Sequence, residues 1–304
     1  QSTTEKQHGT RGRRKQFVRV YNASENTLLA RFQHGAGVLC CCFGDQGHVL
    51  SGGIDRMVLE HDLATGQTAV LGAHERPVRG VGHTSAGYAR PDVTVTGGWD
   101  RTVRFWDRRA RGCVATSHVS GKVFSLSAVG PRVVAALSGR RVAVWDLVRS
   151  LEAPEVERES SLAYQSRAVR IFPDSTGYAL ASIEGRVAVE YFDASPAAQE
   201  RRYAFKCHRV RGADGVDTVY PVNAIAFHKG QGTFATGGCD GFVFVWDGQN
   251  KKRIAQLPRF PTSVAALAFN DPGTLLAVAS SYTFEEGEKT PPPLDQVFVR
   301  RVDE

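Results

Sequence analysis

The sequence predicts an all-β protein, a seven-bladed β-propeller with an incomplete first blade and an unclosed last blade. The main observation is a twelve-residue segment, TGGWDRTVRFWD at 96–107, that returns at 51–62 and 236–247, in shortened form at 137–146 and more loosely at 182–193. Its terminal acids stand at positions 62, 107, 146, 193 and 247, in steps of 45, 39, 47 and 54 residues. A period of about 40 to 45 residues, with four short strands in each repeat, is typical of propeller blades.

Each position of the repeated segment favours a strand, a tight turn and a second strand. Paired glycines such as Gly97 and Gly98 are expected to let the backbone turn where a side chain would clash. Alternating apolar residues place every second side chain against the neighbouring blade, because side chains alternate across a strand. The residue before the turn aspartate is then displayed at the entrance of the propeller. These displayed residues are Ile54, Trp99, Cys239 and, by position, Ile183 or Glu184.

Seven segments match the third strand of a blade, and they end near residues 22, 62, 107, 146, 193, 247 and 301. Only six complete pairs of first and second strands accompany them, so blade one is expected to begin at its third strand, 17–22. Blade seven, 264–300, is expected to stop before an outer strand. Blade five is expected to have an outer strand at 201–207, followed by a polar loop at 211–217. Unpaired edges invite association, so we expect this chain to be less stable and more prone to associate than one supplying the opening strands.

Polar residues recur at fixed positions around the repeated segment, where the WD40 family, which the chain resembles here, has a structural tetrad. The matching residues are His74, Thr96, Asp100 and Trp106 in the third blade, and His208, Thr236, Asp240 and Trp246 in the sixth. The second blade has His34, Ser51 and Asp55, with His61 where a tryptophan would stand. An unpaired buried polar group costs about 1 to 3 kcal/mol. We therefore interpret these residues as hydrogen-bonded structure rather than as catalysts or metal ligands.

The composition is that of a single soluble domain with a charged arm. The chain has 304 residues and a formal net charge of +7, of which residues 1–16 carry +4, so the remainder is close to neutral. We expect a disordered basic tail at 1–16 and a WD40 propeller at 17–304; the tail motif RGRRK also matches a nuclear-import or nucleic-acid contact. No apolar run reaches the roughly 18 residues of a membrane helix. The expected compartment is intracellular.

The sequence offers no pattern for a metal site or an enzyme. The consecutive cysteines Cys40, Cys41 and Cys42 alternate between the faces of a strand and cannot converge on one metal, and Cys113, Cys207 and Cys239 fall in different repeats. Reduced thiols are expected. A nucleophile elbow, a phosphate loop and metal-ligand spacing are all missing from the sequence. A propeller hydrolase is therefore the weakest of the functional hypotheses, and we expect no enzyme activity and no cofactor.

Five further segments resemble one family beyond the repeat itself. They are ESSLAYQSR at 159–167, SIEGRVAVEY at 182–191, YAFKCHR at 203–209, YPVNAIAFH at 220–228 and ASSY at 279–282. Together they resemble the spindle-checkpoint WD40 propeller, the third member of the budding-uninhibited-by-benzimidazole group. The nuclear-pore mRNA-export propeller shares SIEGRVA, FKCHR and ASSY, whereas the VEY and YPVN segments favour the checkpoint branch.

This resemblance implies a non-enzymatic adaptor of the mitotic spindle assembly checkpoint, located in the nucleus and at the kinetochore with a cytoplasmic pool. Both relatives bind a short Gle2-binding-type peptide across the top face, using basic side chains against its glutamates. The checkpoint branch also binds a phosphothreonine motif. The implied partners are a checkpoint kinase or pseudokinase carrying that peptide and a phosphorylated kinetochore scaffold, with no direct nucleic acid and no membrane. The alternative is an mRNA-export adaptor at the nuclear pore.

Site residues follow from matching positions in these motifs. Arg186 is the expected partner of a peptide glutamate, because a guanidinium can bind a carboxylate bidentately. Lys206 and Arg209 are the expected phosphate contacts. Further peptide contacts are expected at Tyr164, Arg167, Glu184 and, from its position before the turn aspartate, Trp99. The alternatives left open are that these charges are solvated surface groups and that Trp99 belongs to the core.

Overall fold

The computed structural model describes residues 16–44, 47–84, 92–110 and 112–302. The predicted basic tail, except Gln16, lies outside them. Within the described residues the first strands are β1 (Phe17–Asn22) and β2 (Thr27–Gln33), which form a two-stranded antiparallel sheet. Antiparallel sheets then succeed one another along the chain, so almost every contact inside a sheet is between neighbours in sequence.

Three four-stranded sheets come next, each in the order of its strands along the chain. The first has β3 (Val38–Phe43), β4 (His48–Gly53), β5 (Met57–Asp62) and β6 (Thr68–Ala73). The second has β7 (Val78–Thr84), β8 (Val93–Gly98), β9 (Thr102–Asp107) and β10 (Gly112–His118). The third has β11 (Val123–Val129), β12 (Arg132–Leu137), β13 (Arg141–Asp146) and β14 (Val156–Glu159), with a 3-10 turn at Ser138–Arg140 between its middle strands.

The second half of the chain forms two more four-stranded sheets and a three-stranded one. The first has β15 (Ser166–Ile171), β16 (Gly177–Ser182), β17 (Arg186–Tyr191) and β18 (Tyr203–Lys206), with helix α1 (Pro196–Glu200) before β18. A hairpin of β19 (Arg209–Arg211) and β20 (Asp217–Val219) follows. The next sheet has β21 (Val222–Phe227), β22 (Thr233–Gly238), β23 (Val243–Asp247) and β24 (Lys252–Gln256), and the last has β25 (Val264–Phe269), β26 (Leu275–Ser280) and β27 (Gln296–Arg301).

The first strands of these six sheets pack side by side in chain order, from β3 through β7, β11, β15 and β21 to β25. This arrangement makes each sheet one blade around a common axis. The described chain is thus an all-β propeller with six blades of three or four strands. The β1–β2 sheet packs against the first of them through a cluster that contains Val18, Phe32 and Val49.

Apolar side chains between neighbouring blades form the core. The largest cluster joins the β7–β10 and β11–β14 sheets, where Phe105 and Trp145 are fully buried with their ring centroids 6.5 Å apart. Burial of this kind contributes roughly 25 cal/mol per Å² of apolar surface. Alternation along each strand supplies such side chains to both faces of a blade, so stacking the blades is what buries them.

The paired glycines lie in strands, and their role differs from the one predicted. A Cβ on Gly237 would lie 2.4 Å from Cγ1 of Val264 in the next blade, and one on Gly238 would lie 2.4 Å from Nδ1 of His208. Positive φ angles occur instead in the turns, at Arg101 (62°) and Gly241 (78°). The glycine pair therefore makes room for the next blade and for a buried histidine, not for a change of chain direction.

Gly237→Ala is expected to destabilise the protein by about 1 to 2 kcal/mol, because the added methyl group must displace a packed inner strand. Gly112→Ala is the matched control, since a Cβ there would meet nothing closer than 4.0 Å. Urea unfolding of both variants measures the difference. Equal midpoints for the two variants would contradict this account of the glycine pair.

Two elements around blade five differ from the expectation. The outer strand predicted at 201–207 is shorter, because Ser195 and Pro196 begin helix α1 and the Ser195 hydroxyl accepts from the Ala198 amide at 3.3 Å. The predicted polar loop at 211–217 is mostly the turn of the β19–β20 hairpin, in which Gly215 has a φ of 79° and Asp214 accepts from the Val216 amide. Both local signals, Ser-Pro and Asp-Gly, are present in the sequence.

Candidate functional site

One face of the propeller carries most of the predicted site residues. In every four-stranded blade the turn between the second and third strands lies at the same end as the connection from the fourth strand to the next blade. We call this end the top face. It includes the turns at 54–56, 99–101, 183–185 and 239–242 and the connection at 160–165.

Two hydrogen-bonded tetrads hold the turns at 99–101 and 239–242 in place. In the β7–β10 blade, His74 Nδ1 donates to Asp100 at 3.0 Å, Thr96 Oγ1 lies 2.7 Å from His74 Nε2, and the Trp106 indole N–H donates to Thr96 Oγ1 at 2.8 Å. The β21–β24 blade repeats this with His208, Asp240, Thr236 and Trp246, at 2.9 Å for each link. Every polar atom of the relay has a partner, which accounts for its burial.

Asp100 shows the electrostatic consequence of the tetrad. Burial alone would raise the pKa of its carboxyl group. Hydrogen bonds from His74, Thr102 and the Glu75 amide, together with the charge of His74, lower the pKa by more than burial raises it, so the net pKa is well below the ordinary value. The aspartate is therefore an anion that its own blade satisfies. A carboxylate so occupied has no capacity left for a ligand or a metal ion.

The blade β3–β6 completes the relay with a histidine instead of an indole. His34 joins Asp55 at 2.9 Å and Ser51 at 2.7 Å, and Ser51 joins His61 Nε2 at 2.7 Å. His61 also hydrogen-bonds Thr68 at 2.9 Å. Burial lowers the pKa of His61 to about 4, and the charge of His34 contributes in the same direction. His61 is thus held neutral, and its ring N–H takes the place of an indole N–H.

Arg186 and Lys206 form a pair of cations at the top of the β15–β18 blade, which is blade five of the sequence prediction. They are directly opposite each other on the neighbouring strands β17 and β18. Lys206 is exposed and has no ion pair among the described residues. Arg186 is about one-third exposed (36%), and Glu184, with its Oε2 3.7 Å from Arg186 Nε, is the carboxylate that it approaches. Like charges placed opposite each other on a sheet are unfavourable unless an anion compensates them.

Glu184 and Arg209 hold the turn that carries this pair. The guanidinium group of Arg209 donates to the main-chain oxygens of Glu184 at 3.2 Å and Gly185 at 3.1 Å, and forms an ion pair with Asp217 at 3.2 Å. The Oε1 atom of Glu184 is buried and has no hydrogen-bond partner within the described part of the chain. Arg209 therefore positions the turn, a role that the sequence did not reveal because its partners lie on the unpredicted hairpin.

The remaining predicted residues divide between two places. Tyr164 is exposed (56%) on the connection into blade five, and Arg167 follows it at the start of β15, where its Nε donates to Asn223 at 2.9 Å. Arg167 is thus in the same blade as Arg186, and Tyr164 is on the connection that leads into it. Trp99 is 37% exposed on the equivalent turn of the β7–β10 blade, with the whole β11–β14 blade between. The structure does not bring Trp99 together with the others.

Of the other residues expected at the entrance, Cys239 is buried. Its thiol lies against the Asn223 side chain, and burial raises its pKa. All six cysteines are free thiols. In the described ranges no three His, Cys, Asp or Glu side chains converge as metal ligands, and none of the helices there has the length and apolarity to cross a membrane.

Comparison with known proteins identifies the family. The WD domain, G-beta repeat model matches residues 26–62, 66–107 and 205–247. Mitotic checkpoint protein BUB3.1 of Arabidopsis thaliana is 52% identical over 94% of this chain and 84% of its own length. The chain belongs to the Bub3 family of mitotic checkpoint WD40 proteins. Mitotic checkpoint protein bub3 of Dictyostelium discoideum is 44% identical, over 94% of this chain and 85% of that protein.

More distant relatives include the export branch. The mRNA export factor GLE2 of Chaetomium thermophilum is 34% identical over 89% of this chain and 75% of its own length. The structure of U3-55K superposes with a TM-score of 0.80 at 15% identity, covering 94% of this chain and 89% of that one, which shows a shared fold. The identities of 52% and 44% to these two checkpoint proteins, against 34% to GLE2, confirm the family that the VEY and YPVN segments favoured.

Proposed function

We propose that this Bub3-family chain is a non-enzymatic adaptor of the mitotic checkpoint, acting in the nucleus and at kinetochores, that binds a short glutamate-containing peptide on the top face. The partner would be a checkpoint kinase or pseudokinase carrying a Gle2-binding-type sequence. The observation that carries the proposal is the Arg186–Lys206 pair, two cations directly opposite each other at the top of blade five. An acidic peptide laid over them would remove their mutual repulsion.

The surroundings of the pair support an extended peptide as the ligand. Arg209 holds the turn rigid, which reduces the ordering cost on binding. Tyr164 adds exposed aromatic area next to the turn, and Arg167 adds a third cation in the same blade. Trp99 would be reached only by a peptide that crosses blade four.

We also propose that a phosphothreonine motif of the kinetochore scaffold binds at Lys206. This lysine is exposed and has no counter-ion among the described residues. Arg209 was predicted as a second phosphate contact, but its guanidinium group already has Asp217 and two main-chain oxygens. In this site Arg209 would act by positioning the turn, and Arg186 would be the nearer second cation.

A seven-bladed arrangement belongs to the same proposal. The β1–β2 sheet packs on the β3–β6 blade, and His34, next after β2, joins the tetrad of that blade. This is how the outer half of a preceding blade would be placed. We propose that β1 and β2 are the outer strands of a seventh blade, and that β25–β27 is a blade without its outer strand.

Arg186→Glu is expected to weaken binding of a synthetic kinase-derived peptide by more than about 1 kcal/mol, or roughly fivefold in Kd. The substitution removes an attraction to the peptide glutamate and adds a repulsion. Calorimetric titration of wild type and variant with the peptide, and with its Glu-to-Gln counterpart, measures the effect.

Arg149→Glu provides the matched control, because Arg149 is an exposed arginine (70%) at the opposite end of the β11–β14 blade. It should bind the peptide as the wild type does. Equal affinity of wild type and Arg186→Glu would remove Arg186 from the site. Preferential binding of a nuclear-pore peptide over the kinase peptide would favour the export-adaptor alternative.

A further inference from the structure

A cavity of about 460 Å³ opens at the end of the propeller opposite the top face, between the β15–β18 and β21–β24 blades. In each blade its walls come from the turn between the first and second strands and from the connection between the third and fourth. We call this cavity the bottom pocket. Among the described residues, none of those assigned above to the peptide or phosphate sites lines it. Its volume lies in the range of roughly 300 to 1,000 Å³ that is typical of ligand sites.

Aromatic side chains from both blades form the walls of the bottom pocket. Phe172 packs edge-to-face against Tyr191 of its own blade, with the ring centroids 5.7 Å apart, and against Phe227 of the next blade at 5.2 Å. Phe227 in turn lies 5.2 Å from Phe234, which is buried at the base. Phe172, Tyr191 and Phe227 remain partly exposed. The walls therefore offer ring faces and edges, which is the surface that another aromatic group packs against.

One wall follows a connection that is longer in the β15–β18 blade than in the next. Eleven residues, 192–202, join β17 to β18, whereas four residues, 248–251, join β23 to β24. Tyr203 comes directly after the long connection, and its hydroxyl group donates to the main-chain oxygen of Gly248 at 2.9 Å. Burial raises the pKa of Tyr203 to about 12, so the hydroxyl group keeps the proton that it donates. This bond joins the two blades at the rim of the pocket, and a preformed site has a lower ordering cost on binding.

Two cations rest on the rings that line the bottom pocket. The guanidinium carbon of Arg201 lies 4.4 Å from the centroid of the Tyr191 ring, and the Nζ atom of Lys251 lies 4.9 Å from that of Tyr203. Both cationic side chains are exposed, and neither forms an ion pair with another described residue. Arg201 belongs to one blade and Lys251 to the next, so positive charge stands at two separate points of the rim.

Carboxylates near the bottom pocket are satisfied by their own turns. Asp174, which lines the pocket, accepts from the amide of Thr176 at 3.0 Å and from its hydroxyl group at 2.8 Å. Asp193 accepts from the amide and the hydroxyl group of Ser195, both at 2.8 Å. These hydrogen bonds from Ser195 lower the pKa of Asp193, and the charge of Arg201 adds to them. A cationic ligand would therefore meet ring faces that already carry cations, whereas an anionic ligand would meet cations without ion pairs.

We propose that the bottom pocket binds an aromatic side chain of a partner protein, presented by an extended segment with acidic residues on both sides of the aromatic one. The ring of the partner packs among Phe172, Tyr191 and Phe227, and its flanking carboxylates pair with Arg201 and Lys251. A partner held here leaves the top face open, so one chain is able to hold two partners at once. This second site does not depend on the peptide site of the top face.

The test uses the whole chain and a fluorescein-labelled Glu-Glu-Trp-Glu-Glu peptide, followed by fluorescence polarisation. The Arg201→Glu/Lys251→Glu double variant should bind the peptide at least about tenfold more weakly than wild type. Thr176→Trp places an indole from an exposed turn at the mouth of the pocket, and it should weaken binding without changing the charge. Arg149→Glu, at an exposed arginine (70%) in the connection between the third and fourth strands of the β11–β14 blade, is the matched control and should bind as wild type. Arg186→Glu should also bind as wild type.

Two further peptides separate the contributions of the ring and of the charges. Replacing the tryptophan by alanine, or the four glutamates by lysines, should each weaken binding at least about tenfold. Equal affinity for the alanine peptide, or stronger binding of the lysine peptide, would overturn the proposal, because the pocket would then not select an aromatic group or an acidic segment.

Three other results would also overturn it. Wild type that does not bind the glutamate peptide leaves the pocket without its proposed ligand. Weaker binding in Arg186→Glu but not in the variants of the bottom pocket would place the peptide on the top face. A dimer of wild type in sedimentation velocity that is lost in Thr176→Trp would show that a second copy of this chain occupies the pocket. Circular dichroism of each variant checks that the fold is retained.

Discussion

Asp240→Ala should destabilise the propeller by about 2 to 4 kcal/mol. Asp240 is 5% exposed and accepts hydrogen bonds from His208 Nδ1 at 2.9 Å and from the Phe242 amide at 3.1 Å. Removing it leaves a buried ring N–H and a turn amide without partners, and the orientation of His208 toward Thr236 is lost with them. Urea unfolding at neutral pH, followed by tryptophan fluorescence and by circular dichroism, measures the change.

A surface aspartate provides the control that distinguishes the loss of the hydrogen-bond relay from the mere loss of a negative charge. Asp271 is 83% exposed and pairs with Lys229, so Asp271→Ala should cost less than about 1 kcal/mol. Thr236→Val tests the same relay from its other side, because the hydroxyl group of Thr236 serves both His208 and Trp246. It too should cost more than the Asp271 variant. If all three variants unfolded at the same urea concentration, the tetrad would not be a major source of stability.

Such relays could be predicted from the sequence because the threonine, aspartate and tryptophan recur at the same spacing, at 96, 100 and 106 and at 236, 240 and 246. Only the histidine varies, since it stands 26 residues before Asp100 but 32 before Asp240, where the β19–β20 hairpin intervenes. Period-two alternation predicted the strands of blades two to six for the same reason, since the pattern is local and repeated. The glycine pairs were placed correctly but explained wrongly, because the clash that they avoid is with the next blade.

The candidate site was less accessible to sequence reasoning. Arg186 could be named from its motif, but the opposition of Lys206 depends on the register of β17 against β18, which sequence alone does not specify. Arg209 acts through Asp217 on a hairpin that was expected to be a loop. In each case the missing information is which distant residue lies opposite.

His61, in the β3–β6 blade, makes the free energy of unfolding depend on pH in the range between about 4 and 6.5. His61 is fully buried and its pKa is about 4 in the folded protein, against about 6.5 when unfolded. Between these values the unfolded chain binds a proton that the folded protein excludes, so the contribution is complete above pH 6.5 and is lost as the pH falls toward 4. A shift of this size corresponds to about 3 kcal/mol. Asp100, whose pKa is lowered, contributes stability that is lost only below about pH 4.

His61→Gln should therefore lose less stability than wild type between pH 6.5 and 4, because glutamine can hydrogen-bond Ser51 or Thr68 but cannot take up a proton. Urea unfolding at half-unit pH steps gives the slope for each protein. His118→Gln, a substitution at an exposed histidine, should follow the wild-type slope and serves as the control. The comparison uses slopes, so a constant loss from imperfect packing of the glutamine beside Phe32 does not affect it. Parallel curves for wild type and His61→Gln would show that His61 does not exclude the proton, and the relay of the second blade would then have to accommodate an imidazolium.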